Sequence, residues 1–205
     1  MIDVDTTKRE LVRISHLFYQ RQWSLATSSN YSVRVDSNSI LITASGKAKG
    51  TLTENDVLLS GLDGMILDAT KEIPSAETKL HCALYKFRPE IGAILHTHSV
   101  FATVLSSLSN LKVPLSIGGY EMLKAFEGVS THLHTEHIPV FSNDQDMSRL
   151  SQTVLQYMES NTGIHGFLIS GHGLYSLGKD LSSSLRHVEA FEFLFECEYR
   201  KLLLK

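Results

Sequence analysis

Between Ile91 and Leu105 the chain reads IGAILHTHSVFATVL, in which an apolar run from Ile91 to Leu95 ends in two histidines one threonine apart. A short apolar run bounded by turn residues, here RPEIG on its N-terminal side, reads as a strand buried on both faces. Side chains of a strand alternate faces, so His96 and His98 project to the same side and lie close enough to share one ion. Their place at the end of a core strand, before a helix-like SVFATVLSSL, is where functional groups collect.

A third imidazole is offered by His172, whose neighbours in SGHGLY are Gly171 and Gly173. Two glycines remove bulk and permit a sharp turn, so the ring can reach into a shared cavity. Three neutral imidazoles with an open fourth position are the ligand set of a catalytic rather than a structural zinc. The chain has ten histidines, so pairs also arise by chance. His132 and His134 in THLHTEH form such a pair, and the surrounding Thr, Glu and His residues make that segment read as a solvated strand edge.

Composition narrows the partners. Nineteen Lys and Arg against 22 Asp and Glu give a net charge of −3, scattered along the chain, with no basic stripe to neutralise a phosphate backbone; no nucleic-acid partner is expected. The 205 residues, 42% hydrophobic and 20% charged, suit one well-buried domain over residues 1–205. The start, MIDVDTTKRE, lacks a basic flank with an apolar core, and no apolar run approaches the roughly 20 residues of a membrane span, so no membrane partner and a cytoplasmic location are expected. Cys82 and Cys197, far apart in helix-like segments, read as small buried hydrophobes and not as a disulfide or thiolate cluster.

Periodicity predicts an N-terminal helix over TKRELVRISHLFYQRQW, opened by a Thr7/Glu10 capping box. A hairpin follows over YSVRV and SILITAS, and a second pair of short strands around Asp63-Gly64 in DVLLSGLDGMIL. SAETKLHCALYKF reads as a helix with Ser75 at its N-cap, and THLHTEHIPVF as a strand. DMSRLSQTVLQYMES reads as a helix capped by Asn143 or Asp144. GFLISGHGLYSLG gives two strands bent around His172, before a long closing helix from about Asp180. The fold class expected is α/β with a mainly antiparallel or mixed sheet. That closing helix carries more large apolar residues than one buried stripe needs, so either the chain's own core or a neighbouring subunit covers them. TASGKAKG, Thr43 to Gly50, is a small-residue loop whose backbone N–H groups could face an anion, with Lys47 close by. It lacks the phosphate-loop spacing, which removes a nucleotide reading. Glu77 in PSAET and Glu121 in GGYEMLK are candidate acid–base carboxylates, the latter placed directly after a flexible SIGGY.

Taken in order, NYSVRV, LITASG, PSAETKLHCALY, AILHTHS, GYEMLK and GHGLY resemble the class II aldolase family, from about Leu11 to Leu202. The resemblance implies a three-layer α/β/α domain with a central, mainly antiparallel sheet, one zinc ion per chain, a sugar-phosphate substrate and a homotetramer with active sites near subunit contacts. It puts the zinc ligands on His96, His98 and His172. The acid–base glutamate of the family's aldolases matches Glu77, and that of its dehydratase branch matches Glu121. Substrate phosphate positions correspond to Asn30, Ser45, Gly46 and Ser75, although Ala76 stands where the aldolases have serine, Ala44 where proline is usual and Ser29 where glycine is common.

The expected chemistry starts from a ketose phosphate chelated through its C2 carbonyl and C3 hydroxyl, whose C3 proton leaves to give an enediolate stabilised by the metal. Loss of the C4 hydroxyl then gives an enol that becomes a 2,3-diketone, with Glu121 moving the protons. An aldolase or a pentulose-phosphate 4-epimerase of the family would instead break the C3–C4 bond. A non-catalytic module resembling the adducin head is the alternative of another class, and the three histidines argue against it.

Overall fold

One sheet buried on both faces organises this computed structural model, which describes residues 2–204. From the N-terminus come α1 (Val4–Gln20), β1 (Asn30–Arg34), β2 (Ser39–Thr43), β3 (Val57–Gly61), α2 (Thr78–Phe87), β4 (Ala93–Thr97) and α3 (Val100–Leu108). Then follow β5 (Leu115–Gly118), β6 (Thr135–Ile138), β7 (Val140–Phe141), α4 (Met147–Ser160), β8 (Gly166–Ile169), β9 (Gly173–Gly178) and α5 (Leu181–Leu202). Seven strands form one sheet in the order β3-β2-β1-β4-β9-β8-β7, antiparallel except for the β7–β8 pair. The expected mainly antiparallel sheet is therefore present.

Both faces are covered. Ile40, Ile42, Ile94, Phe167 and Ile169 pack against Leu80, Leu84, Leu150 and Val154 of α2 and α4. On the other face Val33, Leu41 and Leu95 meet Leu11, Ile14 and Phe18 of α1, while Leu168 and Leu174 meet Phe191, Leu194 and Phe195 of α5. Each fully buried side chain of this size contributes roughly 1.5–3 kcal/mol, so the central strands make a stiff frame for whatever projects from their ends. Most of the closing helix's apolar residues are thus covered by the chain itself, although Phe193 remains 47% exposed.

Several local expectations fail for identifiable reasons. The Thr7/Glu10 capping box gives way to Asp3, which accepts from the Asp5 and Thr6 N–H groups and starts α1 nearly a turn earlier; a carboxylate caps at least as well as a hydroxyl. Asp146, not Asn143 or Asp144, caps α4, while Asp144 holds Arg149. Ser75 does not cap α2: its hydroxyl accepts the Glu77 N–H within a turn, and the helix opens at Thr78. The strand expected over THLHTEHIPVF is two strands of two sheets, because Pro139 has no N–H to continue a ladder; β6 pairs with β5 and β7 with β8. Beyond Asp63-Gly64 only a Ser60–Ile66 bridge forms, and Met65 and Leu67 stay exposed. Cys82 is buried, but Cys197 is only partly so, and both are free thiols. Among the described residues no helix is long and apolar enough to cross a membrane.

Candidate active site

Strand register assembles the site. The β1–β4 pairing sets Asn30 opposite His96, and the β4–β9 pairing sets His96 opposite Tyr175, whose ring stacks on the imidazole with centroids 4.0 Å apart. His96 points to the face covered by α2 and α4, and His98 follows just past the strand end, its N–H held by the Trp23 carbonyl at 2.7 Å. His172 arrives from the β8–β9 turn, where Gly171 takes a left-handed φ of +62°. Gly173 lies so close to β4 that a Cβ there would sit 2.0 Å from the Thr97 carbonyl oxygen.

The three Nε2 atoms converge, with His98 to His96 at 2.7 Å, His98 to His172 at 3.0 Å and His96 to His172 at 3.3 Å. Burial, and then the neighbouring imidazoles, push His98 down to about 2 and His96 well below its ordinary value, so both rings are neutral. A neutral ring carries one N–H, and that of His96 goes from Nδ1 to the Leu174 carbonyl at 2.8 Å, leaving Nε2 a bare acceptor. Two more imidazole nitrogens beside that bare acceptor make a donor set that one cation could join. Nitrogens about 2.0–2.1 Å from a tetrahedral ion stand about 3.3 Å apart, so the triangle fits one face of such a coordination shell, slightly contracted. Among the described residues this is the only such group of metal-ligating side chains.

Glu77 closes the triangle. Its carboxylate lies 3.4 Å from the Nε2 atoms of both His96 and His172, and the Asn30 side-chain amide donates to it. A cleft of about 270 Å³ opens above, lined by Asn30, Ser45, Gly46, Ser75, Glu77, His98 and His172, with His96 fully buried beneath. Eight of the nine residues expected at the site thus share one place. The ninth, Glu121, does not line the cleft of its own chain: it lies in a short 3-10 turn, Glu121–Ala125, its side chain 71% exposed and paired with Lys124 and His132. The Lys124 ammonium holds its carboxyl below the ordinary range. His134 binds Glu136 instead of a metal, and the pair lies in the turn before β6 and not on the strand edge expected of it.

Three residues escaped sequence reasoning. Tyr175 escaped because the β4–β9 pairing is invisible in sequence. Glu192, 95 residues from Thr97, accepts its hydroxyl proton at 3.0 Å from the opposite face of the sheet. Lys49, not Lys47, is the lysine of the TASGKAKG loop that lines the cleft; Lys47 turns to Asp56 and Glu72, at 3.0 and 2.9 Å. A second lysine two residues along was the available signal. A larger cleft of about 580 Å³ lies at the other end of β9, around Leu177, His165 and Glu127, and gathers no such ligand set.

The family model described as "Class II Aldolase and Adducin N-terminal domain" matches residues 9–199. A Pseudomonas fluorescens protein named methylthioribulose-1-phosphate dehydratase is 50% identical over 192 residues, 94% of this chain and 91% of that protein. One of the same name from Pseudomonas aeruginosa is 50% identical over 196 residues, covering 96% and 95% of the two chains. Among solved structures, YgbL from Escherichia coli, titled a putative aldolase/epimerase/decarboxylase, superposes with a TM-score of 0.82 at 22% identity, covering 96% of this chain and 89% of that one. An L-fuculose 1-phosphate aldolase gives 0.76 at 22%, covering 95% and 86%. These likenesses establish the fold, and with the family model matched over residues 9–199 and half of the residues shared with long-aligned relatives, the chain belongs to the class II aldolase family.

Proposed function

We propose that this chain is a single zinc-dependent catalytic domain that dehydrates 5-methylthioribulose 1-phosphate to 2,3-diketo-5-methylthiopentyl 1-phosphate, a step of methionine salvage, in the cytoplasm. The observation that carries the reading is the convergence of three Nε2 atoms, capped by Glu77, on a cleft lined with hydroxyl and amide groups, in a chain half identical to proteins named for this reaction. His96, His98 and His172 would hold the metal, and imidazole nitrogens suit zinc. When bound, the ion supplies Lewis acidity, stabilising negative charge that develops on the substrate's C2 oxygen.

The chain's own groups do the rest. Asn30 orients the Glu77 carboxylate beside the histidines, and Ser45, Gly46 and Ser75 offer donors to the phosphate. A carboxylate takes the C3 proton; the electron pair left behind expels the C4 hydroxyl, which leaves as water after receiving a proton, and the enol tautomerises to the 2,3-diketone. We assign that proton traffic to Glu121. Because Glu121 is outside the cleft of its own chain, it acts there only if a neighbouring copy in a homotetramer carries it in. Glu77, already at the histidines, would be the base of an aldolase.

Substitution by glutamine separates the two roles, because it keeps shape and removes basicity. With 5-methylthioribulose 1-phosphate, Glu121→Gln is expected to retain zinc and lose roughly 10²- to 10⁴-fold in diketone formation, with Glu77→Gln milder. The reverse order of damage, with aldehyde released in place of diketone, would assign the chemistry to Glu77 and to carbon–carbon cleavage.

A further inference from the structure

Lys49 is a buried cation with no carboxylate bonded to it, and Asp56 acts on it only from a distance. It is only 1% exposed, and the Ser15 hydroxyl fixes its backbone by donating to its carbonyl at 2.7 Å. Its ammonium donates to the Lys47 carbonyl at 3.0 Å, and among the described residues it pairs with no carboxylate, since Asp56 and Glu72 are taken by Lys47. A buried charge left in this state costs several kcal/mol unless something compensates it, and a structural role would be served as well by an apolar side chain. Burial accordingly pulls the ammonium down to about 8, poised to gain from an incoming negative charge.

The surroundings say where that charge would come from. Lys49 lines the same cleft as Ser45, Gly46 and Ser75, and among the described residues it is the only lysine or arginine there. Gly46, at φ +70°, leaves open space where a side chain would stand, so an anion can approach the loop backbone. A phosphate ester brings about −2 at neutral pH, and hydroxyls and amides alone leave that charge uncompensated.

We propose that Lys49 supplies the positive charge of the cleft's anion subsite and pairs with the phosphate of the bound sugar. This rests on the reading of the substrate as a sugar phosphate. Lys49 is a specificity-determining residue: it rewards the phosphorylated ketose and plays no part in moving the C3 proton.

The test uses the metal-loaded, full-length protein, with inorganic phosphate as the probe at pH 7.5. Calorimetric titration of the wild type is expected to show binding that weakens roughly 10- to 100-fold in Lys49→Met and stays within a few-fold in Lys49→Arg, with zinc content unchanged in both. In turnover of 5-methylthioribulose 1-phosphate, Lys49→Met should raise KM by a similar factor while kcat moves little. Equal phosphate affinity in wild type and Lys49→Met, or no phosphate binding by the wild type at millimolar concentration, overturns the proposal. A fall in kcat at unchanged KM does so as well. If Lys49→Met does not fold, Lys49→Gln carries the same comparison. Because the titration needs no turnover, loss of phosphate affinity in a protein inactive on this ketose would uphold the subsite while rejecting the dehydratase reading.

Discussion

Glu192 illustrates what burial does to a carboxyl that is bonded on one side only. It is 2% exposed in the middle of α5, and Oε2 has no partner although Oε1 accepts from Thr97. Desolvation raises it from 4.5 to about 7, outweighing the pull of the Ser99 and Thr97 hydroxyls. A folded-state value above the unfolded one favours the protonated carboxyl, so this contribution to stability is complete below about 4.5 and fades as pH rises through 7, by up to roughly 3 kcal/mol. Glu192→Gln removes the titration. Urea unfolding at pH 5 and pH 8 should therefore show the variant gaining on the wild type at the higher pH, and a difference that stays constant with pH would remove this account. Because Thr97 lies between His96 and His98, the same contact ties the segment that carries both histidines to α5.

At the scale of elements, the site depends on how closely β4 and β9 approach. The pairing of Thr97 with Leu174 brings the ends of the two strands together, and only glycine at position 173 permits it, since any Cβ there would meet the Thr97 carbonyl oxygen at 2.0 Å. Gly173→Ala must push the strand ends apart at the point where His98 and His172 face each other. The expected cost is roughly 3 kcal/mol, from an overpacked buried site, together with loss of most of the metal that the three histidines are proposed to hold. Thermal melting and metal analysis of the purified variant check both parts. A variant that melts like wild type and keeps its metal would mean that the ladder has slack not evident in its geometry.

The whole molecule raises the question of Glu121. On the function proposed above, a side chain 71% exposed on a turn outside the cleft acts from a neighbouring copy. Apolar side chains exposed at Phe193, Leu108, Val113 and Leu133 offer surface for such contacts. Sedimentation at micromolar concentration is expected to give a homotetramer. Mixing His98→Ala, which lacks one of the proposed metal ligands, with Glu121→Gln, which lacks the proposed proton carrier, should restore activity as subunits exchange, because some sites then combine an intact triad with an intact Glu121. Strictly additive, inactive mixtures despite proven exchange would return Glu121 to its own chain or remove it from the chemistry.

The sequence by itself determined the parts that local physics controls. The apolar run into His96 reads as a buried strand, alternation put His98 on the same side just past its end, and the glycines around His172 marked a tight turn. The helices were equally legible, while their caps slipped by a few residues wherever two acceptors stood close together, as Asp144 and Asp146 do. Tertiary structure alone decided which strands are neighbours. That choice set Asn30 and Tyr175 against His96, carried Glu192 to Thr97 across 95 residues, split THLHTEHIPVF between two sheets, and turned Lys49 instead of Lys47 toward the cleft. The division has a physical cause: alternation and turn chemistry act between residues near in sequence, whereas burial of a charge and pairing of strands depend on what the rest of the chain brings alongside.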